Sequence, residues 1–404
     1  MTTTGDSEGR RVLAVVLAAQ GLRGIGYGLA AVQLGAILRG RGLDARGVGL
    51  VLAAIVAGSA ATSLALGRWG DQLGRARAYR LLYAALALAG VVLSLSGPVW
   101  LLALVALSGA LSVEVVESGP FTTLEQVFLA ATRAPQAQIA RGFGLYNAVA
   151  TLAGAAGALL GTLPPDQRLL GVTLALVGAG GALLSTRLPA SVEAPKFQRG
   201  SPPPRPLASS RPIVGRLAGL FAVDSLAGGL VVQAWIAYWL GVRYGAPTRL
   251  IGMVLAAIGV LQAASFLAAP LLAARVGLLK TMVFTHLPSN LLLAAVPFAP
   301  SLPIAVGLLL ARTMLSQMDV PTRQAYVMAL VPPPERTAAA AVTNTARYVT
   351  RPVGPALAGL LQPVGQAWPF LVAGATKSAY DLTVWRLFRP VKLPTDATTT
   401  GGTP

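Results

Sequence analysis

Long runs of apolar residues alternate with short polar segments along almost the whole chain of 404 residues. Many runs reach the length of about 20 residues that an α-helix needs to cross a bilayer. Pro- and Gly-rich segments separate several of them, because proline lacks the N–H group that a helix interior requires. The pattern predicts twelve membrane-spanning helices, at 12–38, 46–67, 77–96, 99–119, 142–162, 169–187, 213–241, 249–273, 279–298, 303–325, 338–361 and 367–388.

The second half of the chain repeats the first. Gly49-Leu-Val-Leu-Ala-Ala-Ile55 returns about 203 residues later as Gly252-Met-Val-Leu-Ala-Ala-Ile258, and the register holds as far as Gly74 and Gly277. Because each half has six spans, the two copies have the same orientation in the membrane. The repeat predicts an all-α membrane protein of two six-helix bundles related by a pseudo-twofold axis.

Composition and charge support this interpretation. The chain is 54% hydrophobic and 11% charged, whereas a soluble domain carries about 25% charged residues. The net charge of +18 follows alternate loops, with Lys and Arg favouring one side by more than three to one. This bias is typical of the cytoplasmic side of a plasma-membrane protein and argues against nucleic-acid binding. The chain has no cysteine, which excludes disulfides and thiolate chemistry.

The domain organisation follows from the spans and from a central polar segment. That segment contains Ser201-Pro-Pro-Pro-Arg-Pro206, and such Pro-rich sequence favours an extended linker. Both ends of the chain are rich in small and polar residues and are predicted to be disordered on the cytoplasmic side. The predicted segments are a tail at 1–10, bundles at 11–187 and 213–390 joined by a linker at 188–212, and a tail at 391–404.

One loop motif resembles a known family. Gly67-Arg-Trp-Gly-Asp71-Gln-Leu-Gly74-Arg75-Ala-Arg77, between spans 2 and 3, is similar to the loop motif of the major facilitator superfamily. The resemblance implies the facilitator fold and a gating role for Gly67, Asp71, Gly74, Arg75 and Arg77, with Asp71 facing the inner end of span 11. The exporter signatures of the family are absent, since Gly157-Ala158 stands where span 5 of exporters has Gly-Pro, and span 4 lacks their membrane arginine.

Several charged residues fall inside the predicted spans, where an unmatched charge is costly. Arg23 and Asp224 occupy equivalent positions in spans 1 and 7. We expect them to lie near mid-membrane and to face each other across a central cavity, either as a substrate or proton site or as a permanent ion pair. Arg23, with Arg347 and Arg351 of span 11, would give three cationic groups that attract an anionic substrate, since arginine binds carboxylate or phosphate. Asp224, Glu114 and Glu117 are the alternative partners that would neutralise them.

Other candidates lie in spans 4, 10 and 11. Glu114 and Glu117 are three residues apart and would share one helical face, which suits proton binding or pairing with inner arginines. Asp319 and Arg323 are four apart and are expected to pair at the inner end of span 10. The remaining cavity candidates are Arg312, Arg347 and Arg351. The single histidine, His286, is interpreted as a buried polar group.

These features predict a secondary transporter that moves a small organic solute by alternating access. Proton-coupled export is the leading version, and facilitated transport or import of an organic anion is the alternative. A facilitator-like sensor or scaffold that transports nothing is the competing class. The chain is expected to be a monomer in the cell membrane, with both termini cytoplasmic. No enzymatic activity, cofactor or metal site is predicted; the expected partners are a small-molecule substrate, protons and the lipid bilayer.

Overall fold

The computed structural model describes residues 3–95, 99–112, 114–116, 119–131, 136–193, 207, 209–332 and 335–391. Helices account for all twelve predicted spans. The first six spans contain α1 (Thr3–Gly40), α2 (Ala45–Leu73), α3 (Arg75–Ser94), α4 (Val99–Leu107), α5 (Pro120–Ala131), α6 (Gln136–Leu160) and α7 (Gln167–Ser185). Because α1 begins at Thr3, it includes most of the segment 1–10 that was predicted to be a disordered tail.

The last six spans contain α8 (Arg211–Gly229), α9 (Gln233–Tyr244), α10 (Thr248–Val276), α11 (Leu278–Ala295), α12 (Leu302–Ser316), α13 (Asp319–Leu330), α14 (Arg336–Thr350), α15 (Val353–Leu361) and α16 (Trp368–Phe388). Four spans are each built from two helices: span 4 from α4 and α5, span 7 from α8 and α9, span 10 from α12 and α13, and span 11 from α14 and α15. Pro321 and Pro352 lie at two of these breaks, where a missing N–H is tolerated.

Span 4 corrects the sequence-based prediction of one helix over 99–119. The helix α4 ends at Leu107, and the chain then turns at Gly109 and Gly119, whose φ angles are +73° and +62°. Residues with a side chain rarely adopt this backbone conformation. Glu114 therefore lies in a non-helical segment and does not share a helical face with Glu117, which lies outside the described residues.

The outer surface is suited to lipid. Large apolar side chains such as Leu50, Trp100, Leu176 and Phe284 are more than half exposed, which water would disfavour over so wide a surface. By length and composition, seven helical segments of the described chain could cross a membrane: Ser7–Gly40, Ala45–Leu66, Arg75–Ser94, Gln167–Ser185, Arg211–Tyr244, Thr248–Val276 and Leu278–Phe298. The chain is therefore a multi-pass membrane protein.

The repeated glycine motif lies at two of the contacts between the two bundles. A Cβ atom on Gly49 in α2 would lie 2.6 Å from the carbonyl oxygen of Pro355 in α15. A Cβ on Gly252 in α10 would lie 2.5 Å from the carbonyl oxygen of Ala158 in α6. Both helix pairs pack closely because glycine lets the backbones approach. We call these two contacts, α2 with α15 and α6 with α10, the seams.

The seams define two ends of the molecule. Gly49 and Gly252 lie near the starts of α2 and α10, and these helices end at Gly74 and Gly277, whose φ angles are +89° and +90°. Beside Gly74, the carboxylate of Glu193, the last described residue before the linker, accepts hydrogen bonds from the N–H groups of Arg75 (2.6 Å) and Ala76 (3.1 Å). The seams therefore close the end remote from the linker, which we call the far end; the other is the linker end.

The N-terminal bundle has a polar core. The guanidinium of Arg23 in α1 donates to both carboxylate oxygens of Glu125 in α5, each at 2.7 Å. The phenol of Tyr146 donates to Glu125 at 2.6 Å, and Tyr79 donates to the same carboxylate. Tyr83 accepts from Arg23 at 2.8 Å. Arg23 and Glu125 are both fully buried, so their opposite charges neutralise each other inside the N-terminal bundle.

This core corrects the prediction for Arg23. Its partner is Glu125, 102 residues later, and not Asp224. The guanidinium has no exposed surface, so Arg23 does not face a central cavity. Arg23 therefore forms a buried ion pair, but with Glu125 and not with the expected partner Asp224.

The C-terminal end of the linker is also anchored. The carboxylate of Glu335, between α13 and α14, accepts hydrogen bonds from the backbone N–H groups of Ser209 and Ser210 and from the Ser209 hydroxyl, each at 3.0 Å. Glu193 and Glu335 thus hold the two ends of the linker on different bundles. Residues 194–206 lie outside the described residues. The extended linker and the predicted bundle boundaries therefore stay predictions.

The Arg23–Glu125 pair predicts a large effect on stability. Glu125→Gln leaves the Arg23 charge without a counterion, and we expect unfolding to become easier by about 3–5 kcal/mol. Thermal unfolding of the purified protein in detergent measures this. Arg80→Gln, which changes an exposed arginine in the same bundle, is the control and should shift stability by less than about 0.5 kcal/mol. Equal effects of the two variants would contradict the structural role of the pair.

Glu335 predicts a dependence of stability on pH. Hydrogen bonds, first of all from the Ser209 N–H, lower the pKa of Glu335 from 4.5 to about 2. A lowered folded-state pKa stabilises the protein above the ordinary pKa, and this contribution is lost as the pH falls toward 2. The melting-temperature difference between wild type and Glu335→Gln should therefore shrink on acidification below about pH 4.5.

The matched variant for this test is Ser209→Ala, which removes the hydroxyl but leaves the two backbone donors. It should retain the acid-dependent loss of stability. The range from about pH 6 to about pH 3 brackets the ordinary pKa of glutamate. A melting-temperature difference between wild type and Glu335→Gln that stays constant over this range would show that the ionised carboxylate does not stabilise the protein.

Candidate functional site

A polar cavity lies between the two bundles, on the linker side of the seams. It encloses about 1140 Å³ of empty space, including its opening. The N-terminal bundle contributes the non-helical segment of span 4, from Glu114 to Val116. The charged and titratable side chains from the other bundle are Asp224, His286, Arg312, Asp319, Arg323, Arg347, Arg351 and Lys377. The chemistry of the cavity therefore belongs almost entirely to the C-terminal bundle.

Asp224 in α8 is the centre of one ion-pair network. Its carboxylate accepts a hydrogen bond from the Lys377 ammonium at 2.6 Å and lies 3.7 Å from the Arg323 guanidinium. Arg323 also donates to Asp319 at 2.6 Å, one helical turn away, which is the contact expected from their spacing. Asp224 thus lies at the cavity wall, and its partners come from its own bundle and not from Arg23.

The N-terminal and C-terminal ion pairs occupy equivalent places with opposite signs. The repeat that aligns Arg23 with Asp224 also aligns Glu125 with Arg323. In the structure Arg23 meets Glu125, and Asp224 meets Arg323. Spans 1 and 4 of one bundle, and spans 7 and 10 of the other, are therefore joined by the same contact with the charges exchanged. The first pair is sealed, and the second borders the cavity.

Lys377 and Asp381 in α16 were missed by the sequence analysis. They are four residues apart in the last span, where two ionisable groups on one helical face are a signal of function. The imidazole Nδ1 of His286 lies 2.9 Å and 3.0 Å from the two carboxylate oxygens of Asp381. Asn290 donates to Asp381 at 2.8 Å. His286 is buried, as expected, but it also borders the cavity.

Besides Arg323, three arginines of spans 10 and 11 line the cavity. Arg351 donates to the carboxylate of Glu114 and so connects the C-terminal bundle to the N-terminal one. Arg312 makes no hydrogen bond or ion pair with the described residues, and its Nε is buried without an acceptor. Arg347 lies in the last turn of α14, four residues before Arg351, which follows the end of that helix. Among the described residues, the lining contains five permanent cations and three carboxylates, Glu114, Asp224 and Asp319.

The loop motif is only partly described. The backbone of Gly67 and Asp71 belongs to α2, but their side-chain surroundings lie outside the described residues. Gly74 ends α2 with a positive φ angle, Arg75 begins α3, and Arg77 is exposed. The gating role of these residues stays a prediction.

Known membrane proteins share this architecture. The chain is 23% identical to the "Uncharacterized membrane protein YJR124C" of Saccharomyces cerevisiae (strain ATCC 204508 / S288c), over 91% of this chain and 92% of that protein. Among solved structures, it resembles a bacterial homolog to the human lysosomal transporter Spinster in an inward-facing and occupied conformation. That match has a TM-score of 0.71 and 15% identity over 94% of this chain and 97% of the other.

Two further structures share the fold. The human organic anion transporter MFSD10 (TETRAN) matches with a TM-score of 0.68 and 16% identity, over 93% of this chain and 99% of that one. The nucleoside transporter NupG matches with a TM-score of 0.70 and 12% identity, over 94% and 99% of the two chains. The family model described as Major Facilitator Superfamily matches residues 16–355. With twelve spans in two bundles around a polar cavity, the chain belongs to the Major Facilitator Superfamily, a family of membrane transporters and not of enzymes.

Proposed function

We propose that this protein is a secondary transporter that carries a small organic anion through the cavity between its bundles by alternating access. The observation that carries the proposal is Arg312, which lines the cavity and makes no hydrogen bond or ion pair with the described residues. The sequence analysis favoured proton-coupled export and kept an organic anion as the alternative. The cavity charges favour the anion.

The electrostatic argument rests on Arg312 and on the low dielectric of the site. Arg323, Arg351 and Lys377 each have a carboxylate partner, whereas Arg312 has none among the described residues. A cation within the membrane is costly unless it is matched by charge or water. A carboxylate, sulfonate or phosphate in the cavity would supply the missing charge, and a guanidinium binds such groups with two parallel hydrogen bonds.

Contacts between the bundles support alternating access. The seams close the far end, while the cavity lies on the linker side of them. Transport would require the seams to part and the linker end to close. The Glu114–Arg351 pair joins the bundles beside the cavity, so it would stabilise the state seen here. A related fold is described as an organic anion transporter, which shows that this architecture can serve such a substrate.

Orientation follows from the distribution of basic residues. Lys and Arg are concentrated near the linker end, which we assign to the cytoplasm by the positive-inside rule. The state described here would then be closed to the outside and face inward. In this proposal the protein functions as a monomer in the cell membrane, and both termini are cytoplasmic.

Arg312 gives the direct test of the substrate class. The protein is reconstituted into liposomes, and exchange of radiolabelled benzenesulfonate, succinate and glycerol phosphate is measured beside the neutral nucleoside uridine. Arg312→Gln should weaken transport of the accepted anion by about 10- to 100-fold, since a hydrogen bond to a charged group is worth about 1.5–3 kcal/mol. Uridine exchange without exchange of any anion would contradict the proposal.

The control is Arg216→Gln, which removes an exposed arginine of α8 at the linker end. It lowers the net charge by the same amount but leaves the cavity unchanged, so the apparent affinity should stay within about twofold of wild type. An equal loss in both variants would assign the effect to the overall charge of the protein.

Glu114 and Arg351 test the proposed gate. Since the chain lacks cysteine, spin labels can be placed on cysteines introduced at exposed Arg80 and Arg216 near the linker end. Glu114→Gln removes an inter-bundle contact of the present state, so the fraction of molecules with a short distance between the labels should rise. Pulsed electron–electron double resonance measures the distribution of distances between the two labels and therefore gives this fraction.

A double-variant cycle controls this experiment. Arg351→Gln alone should shift the distances in the same direction as Glu114→Gln. The combined variant should shift them by less than the sum, with a coupling of about 0.5–3 kcal/mol for groups in contact. Strictly additive shifts would show that the pair does not link the bundles.

A further inference from the structure

We infer that the transported anion is a monoanion with an apolar body, which binds with its charged group at Arg312 and its body in a closed apolar end of the cavity. This inference rests on the proposed function and deepens it by giving the class of anion. The closed apolar end, which we call the blind end, lies beneath the seams. Its walls are the buried side chains of Val231, Ile236, Leu255, Ile258 and Leu309.

The C-terminal bundle places apolar and charged lining residues at different depths. The helices α10 and α12 both run from the far end toward the linker end, and the Ser265 hydroxyl donates to the Met314 carbonyl at 2.7 Å, which aligns them. Ile258 and Leu255 come seven and ten residues before Ser265, whereas Arg312 comes two before Met314. With a rise of about 1.5 Å per residue, these two apolar side chains lie about 7–12 Å nearer the far end than Arg312.

Span 7 repeats this order from the opposite direction. The helix α8 starts at the linker end, and its charged residue Asp224 comes before Val231 and Ile236 along the chain. In α12, Leu309 comes one turn before Arg312 and therefore also lies toward the far end. Apolar walls from three helical segments thus meet beyond the charged part of the cavity.

Two cations approach the blind end, but both are matched. The Arg351 guanidinium donates to Glu114, and the Lys377 ammonium donates to Asp224 at 2.6 Å. Arg312 differs, because it makes no hydrogen bond or ion pair with the described residues. One unmatched cation at the border of an apolar compartment suits a ligand with one negative charge.

The uncharged polar residues of this region strengthen the case against a second charge. Gln233 and Gln262 line the cavity and also a narrow extension of it that reaches Gly154 and Gly259. Their amides can form hydrogen bonds with a neutral group, but they supply no counterion. A second carboxylate in the blind end would lose its hydration without a matching charge, which is strongly unfavourable. The site should therefore reject dianions whose charges lie at opposite ends of an apolar chain.

A series of alkanesulfonates tests the apolar body. Binding of the series from butanesulfonate to decanesulfonate is measured by titration calorimetry in lipid nanodiscs, and the signal of empty nanodiscs is subtracted. Sulfonates stay ionised, so only the length of the chain changes. The affinity should rise about fourfold for each methylene that enters the blind end. The rise should stop at about hexane- to octanesulfonate, where the chain reaches Leu255.

Variants at the end wall show where the chain lies. Leu255→Ala enlarges the blind end, so the longest chain that still gains affinity should become longer by about one or two methylenes. Leu255→Val is a milder change that should extend it by about one methylene, and it serves where Leu255→Ala does not fold. The matched control is Val260→Ala on the same helix, at a side chain that is more than half exposed on the outer surface. It should leave the whole series unchanged.

A pair of carboxylates with equal chain length tests the number of charges. Octanoate and octanedioate have the same carbon chain and are both ionised at about pH 7. Octanedioate would place its second carboxylate in the blind end, and it should bind at least about 100-fold more weakly than octanoate. The neutral alcohol octanol tests the need for the first charge and should also bind more weakly than octanesulfonate.

The outcomes separate this inference from the proposed function. An affinity that does not change along the sulfonate series overturns the inference. A rise without a limit, equal in wild type and the Leu255 variants, overturns it too, since it shows only partition into lipid. Octanedioate that binds as tightly as octanoate likewise overturns it, although anion exchange in proteoliposomes would leave the proposed function intact. Octanol that binds as tightly as octanesulfonate, or bound sulfonates that are never exchanged, would instead contradict the proposed function.

Discussion

The structure depends on matching buried charge within each bundle. A charge inside the membrane is unfavourable unless an opposite charge or water lies beside it, and both bundles meet this requirement with an ion pair between their first and fourth spans. Arg23 with Glu125 does so in a sealed, tyrosine-lined core. Asp224 with Arg323 does so at the cavity wall. The same position thus serves as a rigid core in one half and as a site of chemistry in the other.

Breaks in four spans place the cavity groups. Non-helical backbone inside a membrane is tolerated only where protein or a wet cavity satisfies its polar groups. Glu114 lies in the break of span 4, Arg351 at the break of span 11, and Gln317 at that of span 10. Each of them lines the cavity. The interruptions therefore position the side chains that a straight helix would point elsewhere.

The sequence was sufficient for the fold but not for the partners of its charges. The repeat predicted two similar bundles, because each half carries six spans in the same register, and the structure shows that Gly49 and Gly252 within it keep two helix pairs in close contact. It also aligned Arg23 with Asp224 correctly, but equivalence between two positions does not imply contact. Glu125 meets Arg23 because α1 and α5 cross at that depth, and this crossing depends on packing of many side chains. The break in span 4 was missed because glycine is common in membrane helices.

The seams and the cavity charges are parts of one mechanical arrangement. Arg351 lies two residues before α15, which forms a seam with α2 through Gly49 and Pro355. Its partner Glu114 belongs to the other bundle. If the transported solute is the proposed anion, an anion bound to Arg351 would compete with Glu114 for the same guanidinium and would weaken an inter-bundle contact next to a seam. Occupancy of the cavity and separation of the bundles would then be linked through a single arginine, without any signal that must cross the rest of the protein.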